Sequence, residues 1–296
     1  MDDVRDFGAP VDPPIEVRAP AQQLVALVCA SPHSGSDYPA EFLAQSRLDP
    51  LTLRRSEDSF VDEIFGGTLE LGAPLLKARY PRAYLDPNRE PFELDPAMFA
   101  EPLPSYVNSR SPRVQVGLGT IARVVATGDE IYAHKLRFAD ALSRVERLYR
   151  PYHQALRQLL AATTDHFTGY VLIDCHSMPS TAGPGEREFK RSGVDIVLGD
   201  CHGTSCHPAI METAQRTLGA KGYRVVRNAP YAGGFTTSHY GAPQAGRHAL
   251  QIEINRALYM DERSIERKPF LRQLAADMSD LMASLAMLQP RQLKAA

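Results

Sequence analysis

Five short apolar segments, each about the length of a β-strand, constrain the fold of this chain most strongly. The first spans residues 24–30, and the others lie at residues 169–174, 194–198, 223–227 and 248–254. The first is continuously apolar and ends near Pro32 and Gly35, which is typical of a buried parallel strand. A helix-like stretch at residues 207–220 lies between two of the later segments. We therefore predict an α/β fold with a central mixed, largely parallel sheet flanked by helices.

Helical patterns and loops fill the rest of the chain. Residues 36–80 are predicted to be mostly helical, and residues 59–65 place apolar side chains on one helical face. The longest helical pattern covers residues 129–163 and should break or bend near Pro151, because proline lacks a backbone N–H. The prolines of residues 90–112 indicate a loop. We predict a loosely ordered N-terminal arm at residues 1–20 and a single catalytic domain at residues 21–296.

The composition disfavours several classes of partner. The chain has 296 residues, 44% of them hydrophobic, and a net charge of −2 that is not gathered into a basic stripe. A small-molecule substrate therefore fits better than nucleic acid or a membrane surface. The N-terminus lacks the segments of a secretory signal and no apolar run is of membrane-spanning length, so we expect a cytoplasmic protein. We expect the four cysteines to be reduced thiols, and the sequence sets no expectation for the oligomeric state.

Two histidines follow predicted strands, at the sheet edge where α/β proteins collect their ligands. His33 comes after the first apolar run and His176 after the second. A zinc hydrolase uses three protein ligands from His and Asp or Glu and leaves a fourth position for water. Both histidines are therefore candidate zinc ligands, with a structural hydrogen-bonding role as the alternative. The spacing of residues along the chain does not select the third ligand. The candidates are four acids that could equally cap a helix or lie on its solvated face: Asp37, Asp58, Asp62 and Glu63.

Glu253 stands between Ile252 and Ile254 in the last predicted strand. A carboxylate in a buried strand is unfavourable unless it has a partner or a use. Near a metal-activated water it could act as the general base and then protonate the leaving nitrogen. The alternative is a buried ion pair with Arg256 or Arg247.

Other motifs offer further candidate chemistry. Asn88 and Arg89 provide an amide beside a guanidinium fork, which suits a substrate carboxylate, although many loop arginines are simply solvated. The Cys-His-Gly-Thr-Ser-Cys-His segment at residues 201–207 is too tightly spaced for a usual structural zinc site, and a substrate-facing loop beginning at Asp200 fits better. Ser34 and Ser177 lack the Gly-x-Ser-x-Gly setting of a nucleophile.

Taken in order, these motifs resemble the N-formylglutamate amidohydrolase family across residues 15–262. The matching segments are Ser31-Pro-His-Ser-Gly35 with Tyr38-Pro39, Asp58-x-x-Val-Asp-Glu-Ile-Phe65, Asp86-Pro-Asn-Arg89, Gly117-Leu-Gly-Thr-Ile121, Asp174-Cys-His-Ser177, Leu198-Gly-Asp200 through Cys206, and Gly233-Gly-Phe-Thr-Thr237 through Tyr259-Met-Asp-Glu262. The resemblance implies a zinc-dependent amide hydrolase with a phosphorylase/hydrolase-like fold, akin to zinc carboxypeptidases.

The resemblance also implies roles for individual residues. His33, Asp58 and His176 would hold Zn²⁺, with Glu63 as the second choice of acid, and Glu253 would be the base. Ser36 stands where the carboxypeptidase pattern has its acid. Asn88 and Arg89 would bind a substrate carboxylate, and Arg82 would assist the oxyanion. Thr236, Thr237 and Tyr240 would line the remaining site.

The expected reaction converts N-formyl-L-glutamate to L-glutamate and formate, a step of amino-acid degradation and of histidine catabolism. Two alternatives to this reaction stay open. One is a deacylase of another N-acyl amino acid or a carboxypeptidase-like peptidase. The other is a metal-free protein that binds dicarboxylates without catalysis.

Overall fold

A seven-stranded sheet dominates the structure, which is a computed structural model describing residues 11–180, 193–290 and 293. Its strands are β1 (Ile15–Arg18), β2 (Leu27–Ser31), β3 (Leu75–Ala78), β4 (Tyr170–Met178), β5 (Ile196–Gly199), β6 (Val225–Arg227) and β7 (Arg247–Asn255). They follow the order β1-β3-β2-β4-β7-β5-β6, and β8 (Met260–Asp261) pairs with β9 (Glu266–Arg267) outside this sheet. Every residue of β2 and β4 is buried, as the apolar runs predicted.

The pairing of the central strands is largely parallel. β2 pairs parallel with β4, β4 parallel with β7, and β5 parallel with β6, whereas β5 and β7 run antiparallel. The predicted mixed, largely parallel α/β sheet is therefore confirmed. One boundary differs in a way that affects the site. Because β4 continues to Met178, His176 lies inside a strand and not beyond its end.

The helices are mostly short in the first half of the chain and longer in the second. They are α1 (Ala40–Gln45), α2 (Pro50–Arg54), α3 (Val61–Ile64), α4 (Pro112–Gln115), α5 (Phe138–Arg144), α6 (Arg150–Phe167), α7 (Pro208–Ala220), α8 (Phe235–Tyr240) and α9 (Leu271–Ala286). Short 3₁₀ turns lie at Gly66–Leu69, Pro96–Met98, Pro243–Ala245 and Arg256–Leu258. The predicted helix at residues 207–220 is confirmed by α7.

Two helical predictions were wrong in their extent. Residues 36–80 contain three short helices together with β3 and loops, because prolines and glycines interrupt the pattern. The helix predicted at residues 129–163 begins only at Phe138 and passes through one π-helical turn, Val145–Tyr149, before α6. The Arg150 N–H bonds to the carbonyl of Val145, and Pro151 has no N–H to donate to the preceding turn. Pro151 therefore changes the helical repeat without ending the helix.

The chain packs into two compact units, each built from several segments. Among the described residues, the first comprises residues 11–16, 32–59 and 77–154, and the second comprises residues 17–31, 60–76, 155–180, 193–290 and 293. The predicted arm at residues 1–20 contains β1, and its first ten residues lie outside the described part of the chain. No helix among the described residues is long and apolar enough to cross a membrane.

The core of the second unit lies between the central strands and helices α3, α7 and α9. Helix α9 buries Leu274, Met278, Leu281 and Leu285, which recur at the three- and four-residue spacing of one helical face. All four side chains are fully buried. The sequence analysis did not single out this helix, although the same periodicity was available in the sequence to find it.

A buried carboxylate anchors α9. Asp277, 6% exposed, accepts hydrogen bonds from Tyr223 Oη at 2.6 Å, Lys221 Nζ at 2.8 Å and Gln273 Nε2 at 3.2 Å. Burial raises the pKa of Asp277, but the hydrogen bonds from Lys221 and Tyr223 outweigh it and hold the pKa below its ordinary value.

We expect Asp277→Asn to lower the free energy of unfolding by about 1.5–3 kcal/mol at pH 7. Since the folded-state pKa is depressed, this stabilisation is present above the unfolded-state pKa of about 4. It should disappear as the pH falls through the folded-state pKa. Urea unfolding from pH 7 to pH 3 measures the difference. Asp280 also binds Lys221 but is 67% exposed, so Asp280→Asn should change stability by less than about 1 kcal/mol. Equal losses of unfolding free energy in both variants would contradict the role of Asp277 as the buried anchor of α9.

Candidate active site

The loop after β2 carries His33, and its neighbours hold it in place. A Cβ at Gly35 would collide with the main-chain carbonyl of Tyr80, so only glycine allows this close approach. The backbone N–H of Asp58 donates to the carbonyl of His33 at 2.9 Å. The Pro-His-Ser-Gly motif therefore fixes the loop against neighbouring main chain, and Asp58 is attached directly to it.

Asp86 is the centre of a buried cluster that orients His33. Its Oδ1 lies 2.7 Å from His33 Nε2 and accepts the Asn88 backbone N–H at 2.8 Å, while Oδ2 accepts Arg82 Nη2 at 2.7 Å. Burial raises the pKa of Asp86, but the electrostatic interactions with His33, Arg89 and Arg82 outweigh it and hold the pKa well below its usual range. An ionised Asp86 favours a proton on His33 Nε2, which leaves the Nδ1 lone pair for another partner.

His33 Nδ1 lies 3.4 Å from Asp58 Oδ2, and His176 completes this group. The candidate ligand atoms of His33, Asp58 and His176 all lie within 4.8 Å of one another, and the three residues are at most 3% exposed. Two imidazoles and one carboxylate are a donor set that suits Zn²⁺ and leaves a fourth position open. In the part of the chain that the structure describes, this is the group of His, Cys, Asp and Glu that could hold a metal ion.

The other acids that were candidate third ligands have cationic neighbours. Asp37 Oδ2 accepts Arg79 Nε at 2.9 Å, and Asp62 Oδ2 lies 3.7 Å from Arg18. Glu63 Oε2 accepts Arg267 Nε at 2.9 Å. The structure thus brings Asp58, and not these three acids, into the group with the two histidines.

Glu253 lies beside His176 because of the strand register. The two residues are Cα partners on the parallel strands β7 and β4, so their side chains extend from the same face of the sheet. Gln251 Nε2 donates to Glu253 Oε1 at 2.9 Å, and Glu253 is 8% exposed. On the neighbouring strand, Asp174 Oδ1 lies 3.0 Å from His176 Nε2. The strand register therefore places the Glu253 carboxylate, whose Oε1 accepts the hydrogen bond from Gln251, next to a candidate metal ligand.

The Asn88-Arg89 pair lies next to the Asp86 cluster. Arg89 Nε donates to the carbonyl of Leu118 at 2.9 Å and Nη1 to that of Asn88 at 2.8 Å, while Nη2 lies 3.7 Å from Asp86 Oδ2. Arg89 is 8% exposed, and burial lowers the pKa of its guanidinium. These contacts fix the orientation of the guanidinium. Its remaining N–H groups are the ones that a bound carboxylate could use.

The residues predicted to line the site occupy helix α8. Thr236 and Thr237 are fully buried, and Thr237 Oγ1 accepts the N–H of Gly234 at 2.8 Å. The carbonyl of Tyr240 accepts Tyr170 Oη at 2.7 Å, and burial raises the pKa of the Tyr240 phenol to about 12. Thr237 and Tyr240 therefore have local structural contacts beside the substrate role expected of them.

The loop at residues 200–207 is shaped by hydrogen bonds within the protein. Asp200 Oδ1 accepts the Gly203 N–H and Asn228 Nδ2, each at 2.8 Å. His207 Nδ1 accepts the N–H of Ala209 at the start of α7. The structure describes free thiols at all four cysteines, with Cys29, Cys175 and Cys206 buried and Cys201 half-buried.

Asp86 is the residue that the sequence analysis most underrated. In the sequence it stands out only as part of a family motif, yet it contacts His33 and Arg82 directly. The signal that could have identified it is its position two residues before the Asn-Arg pair. A carboxylate so placed can orient the same loop that presents the substrate-binding candidates.

Comparisons with known proteins agree on one family. The family model for N-formylglutamate amidohydrolase matches residues 25–260. The N-formylglutamate deformylase of Pseudomonas putida is 30% identical over 251 residues, which cover 81% of this chain and 84% of the relative. The crystal structure of N-formylglutamate amidohydrolase from Ralstonia eutropha superposes with a TM-score of 0.86 and 35% identity, covering 95% of this chain and 99% of that one.

A more distant structure is similar to this chain in its fold alone. The gene product Atu2144 from Agrobacterium tumefaciens is 19% identical with a TM-score of 0.64, covering 92% of this chain and 94% of that one. Together with the closer matches, the fold and the site define the class of protein, which is a hydrolase acting on amide bonds. The chain belongs to the N-formylglutamate amidohydrolase family.

Proposed function

We propose that this protein is a zinc-dependent N-formylglutamate deformylase, which hydrolyses N-formyl-L-glutamate to L-glutamate and formate. The observation that carries the proposal is the convergence of His33, Asp58 and His176, with Glu253 in register beside His176. The deformylase relatives and their coverage of the chain support the substrate. The metal and the residue roles are supported by the chemistry of the donor set.

His33, Asp58 and His176 would hold Zn²⁺, and both histidines have a carboxylate near one ring nitrogen. Asp86 lies at 2.7 Å from His33 Nε2, and Asp174 lies at 3.0 Å from His176 Nε2. A carboxylate hydrogen-bonded to a metal-binding imidazole, as Asp86 is to His33, orients the ring and increases its basicity. When bound, zinc would polarise the formyl carbonyl and lower the pKa of a water towards about 7.

Glu253 is the proposed general base and then general acid. Gln251 donates a hydrogen bond to Oε1 and so helps to orient the carboxylate that is proposed to contact the reacting water. The carboxylate takes a proton from water as its oxygen attacks the formyl carbon. It then gives that proton to the nitrogen as the C–N bond breaks, which yields formate and the free amino group of glutamate.

Arginine and amide donors would bind the substrate carboxylates. Asn88 and the remaining N–H groups of Arg89 are proposed to hold one carboxylate, with Thr236, Thr237 and Tyr240 lining the site. Arg82, 22% exposed and bonded to Asp86, is proposed to stabilise the developing oxyanion. These roles are consistent with a dianionic substrate, because its charges require nearby cations.

A substrate panel with metal analysis tests this proposal. We expect protein purified without added metal to contain about one zinc per chain and to release formate from N-formyl-L-glutamate faster than from N-formyl-L-aspartate. Acetylglutamate and short peptides are the test substrates for the two other hydrolase activities, deacylation of another N-acyl amino acid and peptide cleavage. A higher kcat/KM for either would reassign the substrate. Binding of glutarate without turnover of any amide would instead indicate a non-catalytic protein.

A further inference from the structure

A cavity of about 280 Å³ lies in the first unit and shares no lining residue with the site described above. Its buried apolar wall includes Pro39, Tyr84 and Leu148, and its polar wall includes Glu41, Arg144 and Arg147. For comparison, an apolar protein cavity of about 150 Å³ accommodates benzene. The volume therefore suits a molecule that has a body about the size of benzene and one polar group.

Arg144 is a buried cation in this wall with only neutral hydrogen-bond partners. It is 5% exposed, and its guanidinium donates to the carbonyl of Tyr84, to Tyr132 Oη and to Gln45 Oε1. Its Cζ also lies 4.1 Å from the centre of the Tyr84 ring. Among the described residues, Arg144 forms no ion pair, although a buried charge usually has a counter-ion. Three of its five N–H groups are used in these bonds, which leaves donors for an anion.

Arg147 adds a second positive charge to the same wall. It is exposed and has no ion-pair partner in the described ranges, whereas its neighbour Glu146 pairs with Arg150 at 2.7 Å. Arg147 lies within the π-helical turn Val145–Tyr149, and Arg144 immediately precedes that turn. Single π-helical turns inside α-helices occur frequently at functional sites. Both arginines therefore contribute positive charge to the cavity from one altered turn of helix.

Glu41 limits what the cavity can bind. Its Oε1 accepts the Tyr84 hydroxyl at 2.6 Å, which holds the carboxylate at the cavity wall. Because Glu41 lines the same cavity as the arginines, a second negative charge on a ligand would add repulsion by this carboxylate. The wall therefore favours monoanions over dianions.

We propose that this cavity binds a small monocarboxylate with a compact apolar body. Arg144 and Arg147 would bind the carboxylate, and Pro39, Tyr84 and Leu148 would contact the apolar part. This site is additional to the proposed hydrolase site. It does not depend on the reaction proposed there, because none of its residues takes part in that reaction.

Calorimetric titration of the zinc-loaded protein with benzoate, benzamide and isophthalate tests the proposal. We expect saturable benzoate binding with a Kd below about 10 mM and at least tenfold weaker binding of neutral benzamide and dianionic isophthalate. Arg147→Gln should weaken benzoate binding about tenfold and leave formylglutamate turnover unchanged, which also shows that the variant folds. Arg150→Gln removes an exposed arginine of the same helix outside the cavity and should not change the benzoate affinity.

Three results would overturn the proposal. Benzoate affinity that is equal in native protein and Arg147→Gln would locate the binding elsewhere, including at the carboxylate-binding residues of the hydrolase site. Benzamide binding as tightly as benzoate would remove the role of the arginines. Absence of any benzoate heat up to about 10 mM would likewise reject the site.

Discussion

Glu253→Gln is expected to lower kcat by a factor of about 10² to 10⁴ while zinc content and melting temperature stay near those of the native protein. The amide keeps the shape of the side chain but cannot accept the proton of the attacking water. Gln251, which donates to Glu253 Oε1, can still donate to the carbonyl oxygen of glutamine, so the strand should keep its packing. Single-turnover formate release, metal analysis and thermal unfolding on one preparation measure the three properties together.

The alternative role of Glu253, a buried ion pair, predicts a different outcome. Removing one partner of such a pair destabilises a protein by about 3–5 kcal/mol and should affect turnover mainly through loss of folded protein. A rate within tenfold of the native value, together with a marked fall in melting temperature, would contradict the catalytic assignment. A Gln251→Met variant provides a further check, because it removes the hydrogen bond to Glu253 and keeps the carboxylate.

Asp86→Asn is expected to affect both stability and metal binding. The substitution leaves the buried Arg89 and the partly buried Arg82 beside a neutral side chain, and we expect a loss of about 3–5 kcal/mol in the free energy of unfolding. It also removes the charge that orients His33, and zinc affinity should fall about 10- to 100-fold. Urea unfolding of the metal-free protein and zinc titration against a chelator measure the two effects separately.

Asp95→Asn is the matched control for this prediction. Asp95 pairs with Arg123 at 2.9 Å, but the two side chains are 17% and 33% exposed, so the loss should stay within about 1 kcal/mol. Asn can also replace Asp as the cap of the following 3₁₀ turn.

Unchanged zinc affinity in Asp86→Asn, with only stability reduced, would limit Asp86 to a structural role and contradict its effect on His33.

The strands were predictable where the apolar runs were long. The buried strands β2, β4, β5 and β7 are rich in apolar residues, because both faces of this part of the sheet are covered. Strands β1 and β3 have charged residues among their four positions, so no continuous apolar run marks them. The same limit applies to the helices of residues 36–80, since none of them is long enough for helical periodicity to become clear.

The site was predictable in its residue types and less so in its geometry. Histidines after apolar runs and an acid inside one are local features, and they indicated His33, His176 and Glu253. The register that puts His176 beside Glu253 joins residues far apart in the chain, and no local pattern contains it. Their roles in metal binding and proton transfer stay predictions until the experiments above are done.

The sequence by itself determined the α/β class, the family and the side chains available for chemistry, because strand-length apolar runs and compact motifs are local properties of a chain. Only the tertiary structure decided that Asp58, among four candidate acids, joins the two histidines, and that Asp86 orients one of them. The physical reason is that distance along a chain does not fix distance in space. Which polar groups meet depends on strand order, register and loop contacts, and these arise only when the whole core packs.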